Sequence, residues 1–201
     1  MLILAFDQSI ARTGWALYEP PAMSSIMFGS FTSRPETGMS TEEKAAIFCD
    51  EIEKLFKAHK PAFVIWEAAA EVIRSYAKQG KTDLIGDQKV QGVTVNADQL
   101  ILRDIQGHIR HAARARRIPY ESAQPRTWRA AVLKNGNLTR EAAKKAARDL
   151  CQMMRIQVKN EDQAEAVCLA LFGATTQTFR LMQARLAAEQ AKREQEARAA
   201  A

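Results

Sequence analysis

Cysteine is scarce in this chain: Cys49, Cys151 and Cys168, with no CxxC pair. So few, in an odd number, argue against a disulfide framework or a thiolate zinc site and fit a reducing cytoplasm. No apolar run reaches membrane-spanning length, and the N-terminus lacks the basic stretch and cleavage site of a secretory leader. Internal repeats are missing as well. What remains is 201 residues at 47% hydrophobic content, enough for one domain with a real core and too apolar for wholesale disorder.

Acid is also scarce in one quarter of the chain. Between Ala97 and Arg148, twelve Lys/Arg face only four acids, an excess of eight where the whole chain carries +6. A solvated helix face would interleave more acid, so a phosphate-binding surface is the better reading.

Short apolar runs predict strands at Met1–Asp7, Gly14–Tyr18 and Ile26–Thr32, separated by turn residues as in an antiparallel meander. Ser40 with Glu43 forms a capping box for a helix over Met39–His59, and Ala62–Trp66 reads as a fourth strand ending on Glu67. Residues 68–96 read as a loop or mobile excursion. A helix over Asp98–Arg116 turns Leu100, Ile101, Ile105 and Ile109 inward, and 117–122 is a short strand. Pro125 or Arg126 opens a helix that Gly136 stops; Thr139 caps another that runs to about Met153. The last core helix starts near Asn160. From Phe179 onward an Ala/Glu/Lys/Arg-rich helix has little apolar face, which divides the chain into a folded unit, 1–178, and a charged tail, 179–201. This order implies an α/β fold: a mixed five-stranded sheet flanked by helices.

Two strands, then, end on acids. If the strands of Asp7 and Glu67 are parallel neighbours, their carboxylates meet at one sheet edge, where open α/β sheets place their sites. Asp162 and Glu165, three apart, share one face of the last core helix, whose other face, through Ala164, Val167, Cys168 and Leu171, packs on the sheet. Four converging acids repel one another. Divalent cations resolve that conflict, and hard oxygen ligands suit Mg²⁺, or Mn²⁺ as a substitute, in a pair that can act on a phosphodiester. Taken singly, each acid has a plainer role at a helix terminus or beside an arginine.

The stretches "FDQSIARTGWA", "VIWE" and "EDQAEAVCLAL", in this order and spacing over roughly residues 1–173, resemble the RuvC family of Holliday junction resolvases, in the ribonuclease H-like superfamily. The resemblance implies that Asp7, Glu67, Asp162 and Glu165 are the catalytic, metal-binding acids of an endonuclease with two ions per site. It also implies that four-way DNA junctions are the substrate. Among the bases Arg126, Arg129, Arg140 and Lys144, expected on the DNA side, Arg129 and Arg140 best match the family's basic pair, with Lys144 as the alternative. It further implies a homodimer, through the apolar side of helix Asp98–Arg116. Departures are Glu165 in place of the usual final Asp, and Ser9 in place of a loop glycine, the latter as in phage- and virus-type relatives, so the resemblance implies the cytoplasm of a bacterial or phage-infected cell. The family's wedging aromatic is replaced by Ala70, leaving Tyr76 or Ile85 as candidates.

Weaker signals resolve plainly. His108 and His111 lie among arginines and read as surface or phosphate-facing; Trp128 reads as a core anchor; Thr13 orients a site water or satisfies the turn. Three functions compete: a junction endonuclease, a broader flap or fork nickase, and an inactive DNA-binding module. A sugar-kinase-like reading of the first turn fails, because 201 residues do not provide the second half such folds need.

Overall fold

The computed structural model describes residues 1–69, 75–77, 93–95 and 97–199. Its main sheet joins β1 (Ile3–Asp7), β2 (Thr13–Tyr18), β3 (Met27–Phe31), β4 (Phe63–Glu67) and, after a separate hairpin, β7 (Tyr120–Ala123). The order is β3-β2-β1-β4-β7: antiparallel on the β3-β2-β1 side, parallel across β1-β4-β7. This is the mixed five-stranded α/β sheet expected from the sequence. The hairpin, β5 (Ser75–Ala77) with β6 (Val93–Val95), falls where the sequence reads as loop. Three-residue strands are too short to leave a period-2 signature. Ala70, Ile85 and the Tyr76 side chain lie outside the described residues, as does most of 68–96.

The helices follow the sequence signals closely. α1 (Thr41–His59) starts at the Ser40 capping box: the Glu43 amide donates to Ser40 Oγ at 3.1 Å, and the Ser40 amide to Glu43 Oε2 at 2.7 Å. α2 spans Ala97–Ala115, α3 Pro125–Val132 and α4 Arg140–Met153, the last capped by Thr139. α3 ends four residues before Gly136, because Lys134 itself adopts the left-handed backbone (φ +62°) that follows many helix ends. α5 (Glu161–Gly173) is capped by Asn160, and α6 spans Gln177–Ala199.

Strand parity sorts the core into two faces. Ile3, Ala5, Phe63 and Ile65 point to the face covered by α3, α4, α5 and the start of α6. Leu4, Phe6, Val64 and Trp66 point to the other, where Phe48, Ile52 and Phe56 of α1 meet Ile105, Ile109, Ala112 and Ala113 of α2. The apolar side of α2 is therefore filled by this chain's own core, and the expectation that it forms a dimer interface is corrected. α5 is buried nearly all round from Gln163 to Ala170, more than its single expected apolar face, and Leu171 is only partly buried. α6 begins two residues before Phe179, whose fully buried ring packs on Phe63 at 5.7 Å between centroids. Burial of one such side chain contributes about 2–3 kcal/mol. Beyond Met182 the helix is solvent-exposed. No helix among the described residues is long and apolar enough to cross a membrane.

Candidate active site

The same parity positions the acids. Asp7 continues the Ile3–Ala5 alternation and Glu67 the Phe63–Ile65 alternation, so both face α5. β1 and β4 are parallel with Phe6 opposite Trp66, so the two carboxylates emerge side by side at the strand ends. Gly14, opposite Asp7 on β2, sets how close α5 can come: a Cβ there would lie 2.0 Å from the Asp162 carbonyl oxygen. Only glycine admits the helix start at that distance. Asp162 and Glu165 are thereby laid over the sheet edge, and all four acids line one cleft of about 630 Å³.

Glu67 is the most firmly held of the four. Its Oε2 accepts a 2.7 Å hydrogen bond from the Trp128 indole Nε1. Its backbone carbonyl accepts from two amides, Gln8 Nε2 at 2.6 Å and Gln106 Nε2 at 2.9 Å. Arg129 lies 3.7 Å from Glu67 Oε2 and 3.6 Å from Glu165 Oε1, bridging the two. Arg12 pairs with Asp162, and Lys144 with Glu161 at 3.2 Å and more distantly with Asp162 at 4.0 Å.

Three acids resist ionisation. Burial, then the charges of Glu165, Glu67 and Asp162, push Asp7 well above the usual carboxylate range. Burial and Glu67 raise Glu165 to about 7, against the pull of Arg129 and Lys144. Glu67 is raised by burial, with the Trp128 hydrogen bond and the charges of Arg129 and Arg140 opposing. The cleft thus sets four carboxylates beside Arg34, Arg129, Arg140 and Lys144, yet burial and mutual repulsion still raise three of the four. That donor set, all hard oxygens, fits divalent cations. Among the described residues no three His, Cys, Asp or Glu side chains stand as a ready-made metal cage. Arg129 between Glu67 and Glu165, and Arg12 on Asp162, hold the carboxylates in ion pairs instead.

Of the expected DNA-side bases, Arg129, Arg140 and Lys144 line the cleft; Arg126 is exposed on α3 and does not. Arg129 is not the surface residue its basic neighbourhood suggests, its side chain being only 15% exposed. Trp128 is a fully buried core anchor, as read, but its donor role toward Glu67 has no signature in sequence. Arg12, Gln8, Gln106 and Arg34 were not singled out either. Arg12 sits inside the quoted first motif, one residue before Thr13-Gly14, and that adjacency was the available signal. Thr13 serves the turn: its buried hydroxyl donates to the Ser9 carbonyl at 2.7 Å and accepts from the Ser9 amide at 3.2 Å. His108 is partly buried and His111 exposed, as expected.

Among solved structures the fold matches RuvC of Thermus thermophilus, at 14% identity and a TM-score of 0.57, over 85% of this chain and 92% of that one. The same organism's RuvC in complex with a Holliday junction substrate matches at 13% identity and a TM-score of 0.60, over 85% and 91%. The yeast mitochondrial Holliday junction resolvase matches at 10% identity and a TM-score of 0.50, over 84% and 76%. No family model and no curated protein matches the sequence. The chain is RuvC-like in fold, of the ribonuclease H-like type.

Proposed function

We propose that this RuvC-like chain is a metal-dependent endonuclease that cuts phosphodiester bonds in branched DNA, four-way junctions first among them. One observation carries the reading: Asp7, Glu67, Asp162 and Glu165, from β1, β4 and α5, converge on a single cleft edged by Arg129, Arg140 and Lys144. A module that only gripped phosphates would gain by losing that negative charge, which weighs against an inactive DNA binder.

The four carboxylates would hold two Mg²⁺ ions, or Mn²⁺ in their place. When bound, such ions polarise the scissile phosphate and lower the pKa of the attacking water. The chain's own residues do the rest. Trp128 and the amides of Gln8 and Gln106 fix Glu67 in position, so that its carboxylate is oriented before substrate arrives. Arg140 and Lys144 at the cleft edge hold the flanking phosphates. Arg129 keeps Glu67 and Glu165 paired until substrate and cations enter.

A four-way junction presents two equivalent strands and this chain one acidic cleft, so the working form is a C₂ homodimer. Its surface is not the apolar side of α2, which the core occupies. Free cysteines and the absence of a membrane-crossing helix among the described residues agree with work in the cytoplasm of a bacterial or phage-infected cell.

The test is incubation with a synthetic four-way junction, a flap and a linear duplex, in Mg²⁺, Mn²⁺ or EDTA. Paired nicks in the junction that need a divalent cation, with the linear duplex intact, are the expected result. Cation-independent cutting, or none with any branched substrate, would overturn the assignment.

A further inference from the structure

Beside the acid-lined cleft runs a second groove, of about 1070 Å³, walled by α4 and residues 155–161. Arg140 and Lys144 line both cavities, so the groove leads away from the cleft. Arg140, Lys144 and Arg148 recur every fourth residue of α4, and Lys145 and Arg155 stand on the same wall, five bases against the three acids of the lining, Glu141, Asp149 and Glu161. Like charges at that spacing destabilise a helix by themselves. Of the five, only Lys144 has an ion-pair partner among the described residues. Arg155 also holds a left-handed backbone, φ +60°, where glycine is the relaxed choice.

At its far end the groove changes character. Arg155, Ile156 and Gln157 are shared with an apolar notch of about 550 Å³, completed by Met23, Ile26, Phe28 and Met154 beside β3, the edge strand of the sheet. A basic track that ends on an apolar shelf suits one kind of polyanion. Duplex DNA hides its base faces and would gain nothing from the shelf. An unpaired strand offers phosphates to the track and base faces to the shelf, with little dependence on sequence.

We propose that this groove and notch bind single-stranded DNA continuous with the strand in the cleft, such as a flap or the unpaired arm of a fork. The α4 stripe takes its phosphates over about 12 Å, the helical rise from Arg140 to Arg148. The bases then reach the shelf of Met23, Phe28 and Ile156. The direction of the strand, out of an active cleft, rests on the nuclease reading; the binding does not.

Fluorescence anisotropy with an oligothymidylate of about twelve nucleotides tests it. The variants are Arg148→Ala with Arg155→Gly, which removes two cations and relaxes one strained backbone position, and Met23→Ser, which roughens the shelf at an exposed side chain. The double variant should lower the slope of log affinity against log salt by about 1.4 for single strands. Met23→Ser should weaken binding about tenfold at unchanged slope. Thermal melts confirm that both variants fold. Wild-type affinity and slope in the double variant would overturn the proposal, and so would an equal loss for blunt duplex and single strand. If the wild type cuts no branched DNA, the nuclease reading falls, while the oligothymidylate result still decides this one.

Discussion

Trp128 and Glu67 are joined by a 2.7 Å hydrogen bond from a fully buried indole to a carboxylate at a strand end. One residue therefore anchors the core and orients a site acid. Trp128→Phe keeps most of the packing and deletes the donor. Glu67, already raised by burial, should rise further, because this hydrogen bond is the largest influence opposing the shift. Cation affinity, measured by Mn²⁺ titration, should fall about 10–100-fold. An unchanged affinity would show that the bond serves the fold alone.

Asp7→Asn should abolish cleavage and leave junction binding intact or tighter, since the basic residues remain and one repelling charge goes. The cation-free protein should also melt higher than wild type at neutral pH, because Asp7 is pushed up by burial and three neighbouring carboxylates. Gel shift, cleavage and melting assays read these outcomes. Full cutting by the variant would sink the site assignment.

The raised Glu165 sets a pH dependence with a definite sign. Its ordinary value is 4.5 and its value in the fold about 7, so between the two the folded state binds more protons than the unfolded state. The stability this contributes is fully present below 4.5 and is lost as pH rises through about 7. Raised Asp7 and Glu67 act in the same direction. In EDTA the melting temperature should decline from pH 5 to pH 8, and Mg²⁺ should restore more of it at pH 8 than at pH 5. A flat profile would contradict the crowding of carboxylates.

Arg129→Ala and Arg140→Ala should part company. Arg129, largely buried between Glu67 and Glu165, leaves two acids uncompensated, and its loss should destabilise by about 2 kcal/mol or more at pH 8 and by less at pH 5, where Glu165 is protonated. Arg140 is exposed, so its removal should change stability by no more than about 0.5 kcal/mol while weakening DNA binding. Denaturant unfolding at both pH values separates them.

Gly14→Ala tests the approach of α5. A Cβ placed 2.0 Å from the Asp162 carbonyl must push the helix start off the sheet, destabilising by about 1–3 kcal/mol and displacing two of the four acids. Activity should fall by far more than the lost stability accounts for. A variant that melts lower but cuts normally at low temperature would show that the acids tolerate the shift.

Much of this was legible in the chain itself. The strand-ending Asp7 and Glu67 announce themselves because an acid closing an apolar run has no packing reason to be there, whereas the room that Gly14 leaves for α5 shows only in the fold. Caps were equally readable at Ser40 and Thr139, where short polar side chains meet orphan amides, and the start of α5 was legible near Asn160. What escaped depends on tertiary direction. Nothing in the spacing of Arg129 says that its side chain turns inward, nor that the Trp128 nitrogen finds Glu67 across a 61-residue separation. The apolar stripe of α2 was real, but a stripe does not say which surface will cover it. β5 and β6 lacked the length to declare themselves.

Because α5 is both the central filler of one core face and the bearer of Asp162 and Glu165, competence and compactness arrive together. A nascent chain that has released β1 and β4 exposes Asp7 and Glu67 at adjoining strand ends with no third ligand, and long-range contacts of this kind form late. Synthesis order itself therefore withholds the cluster to the end: no truncated product that stops before α5 carries all four acids, however well the rest of it folds.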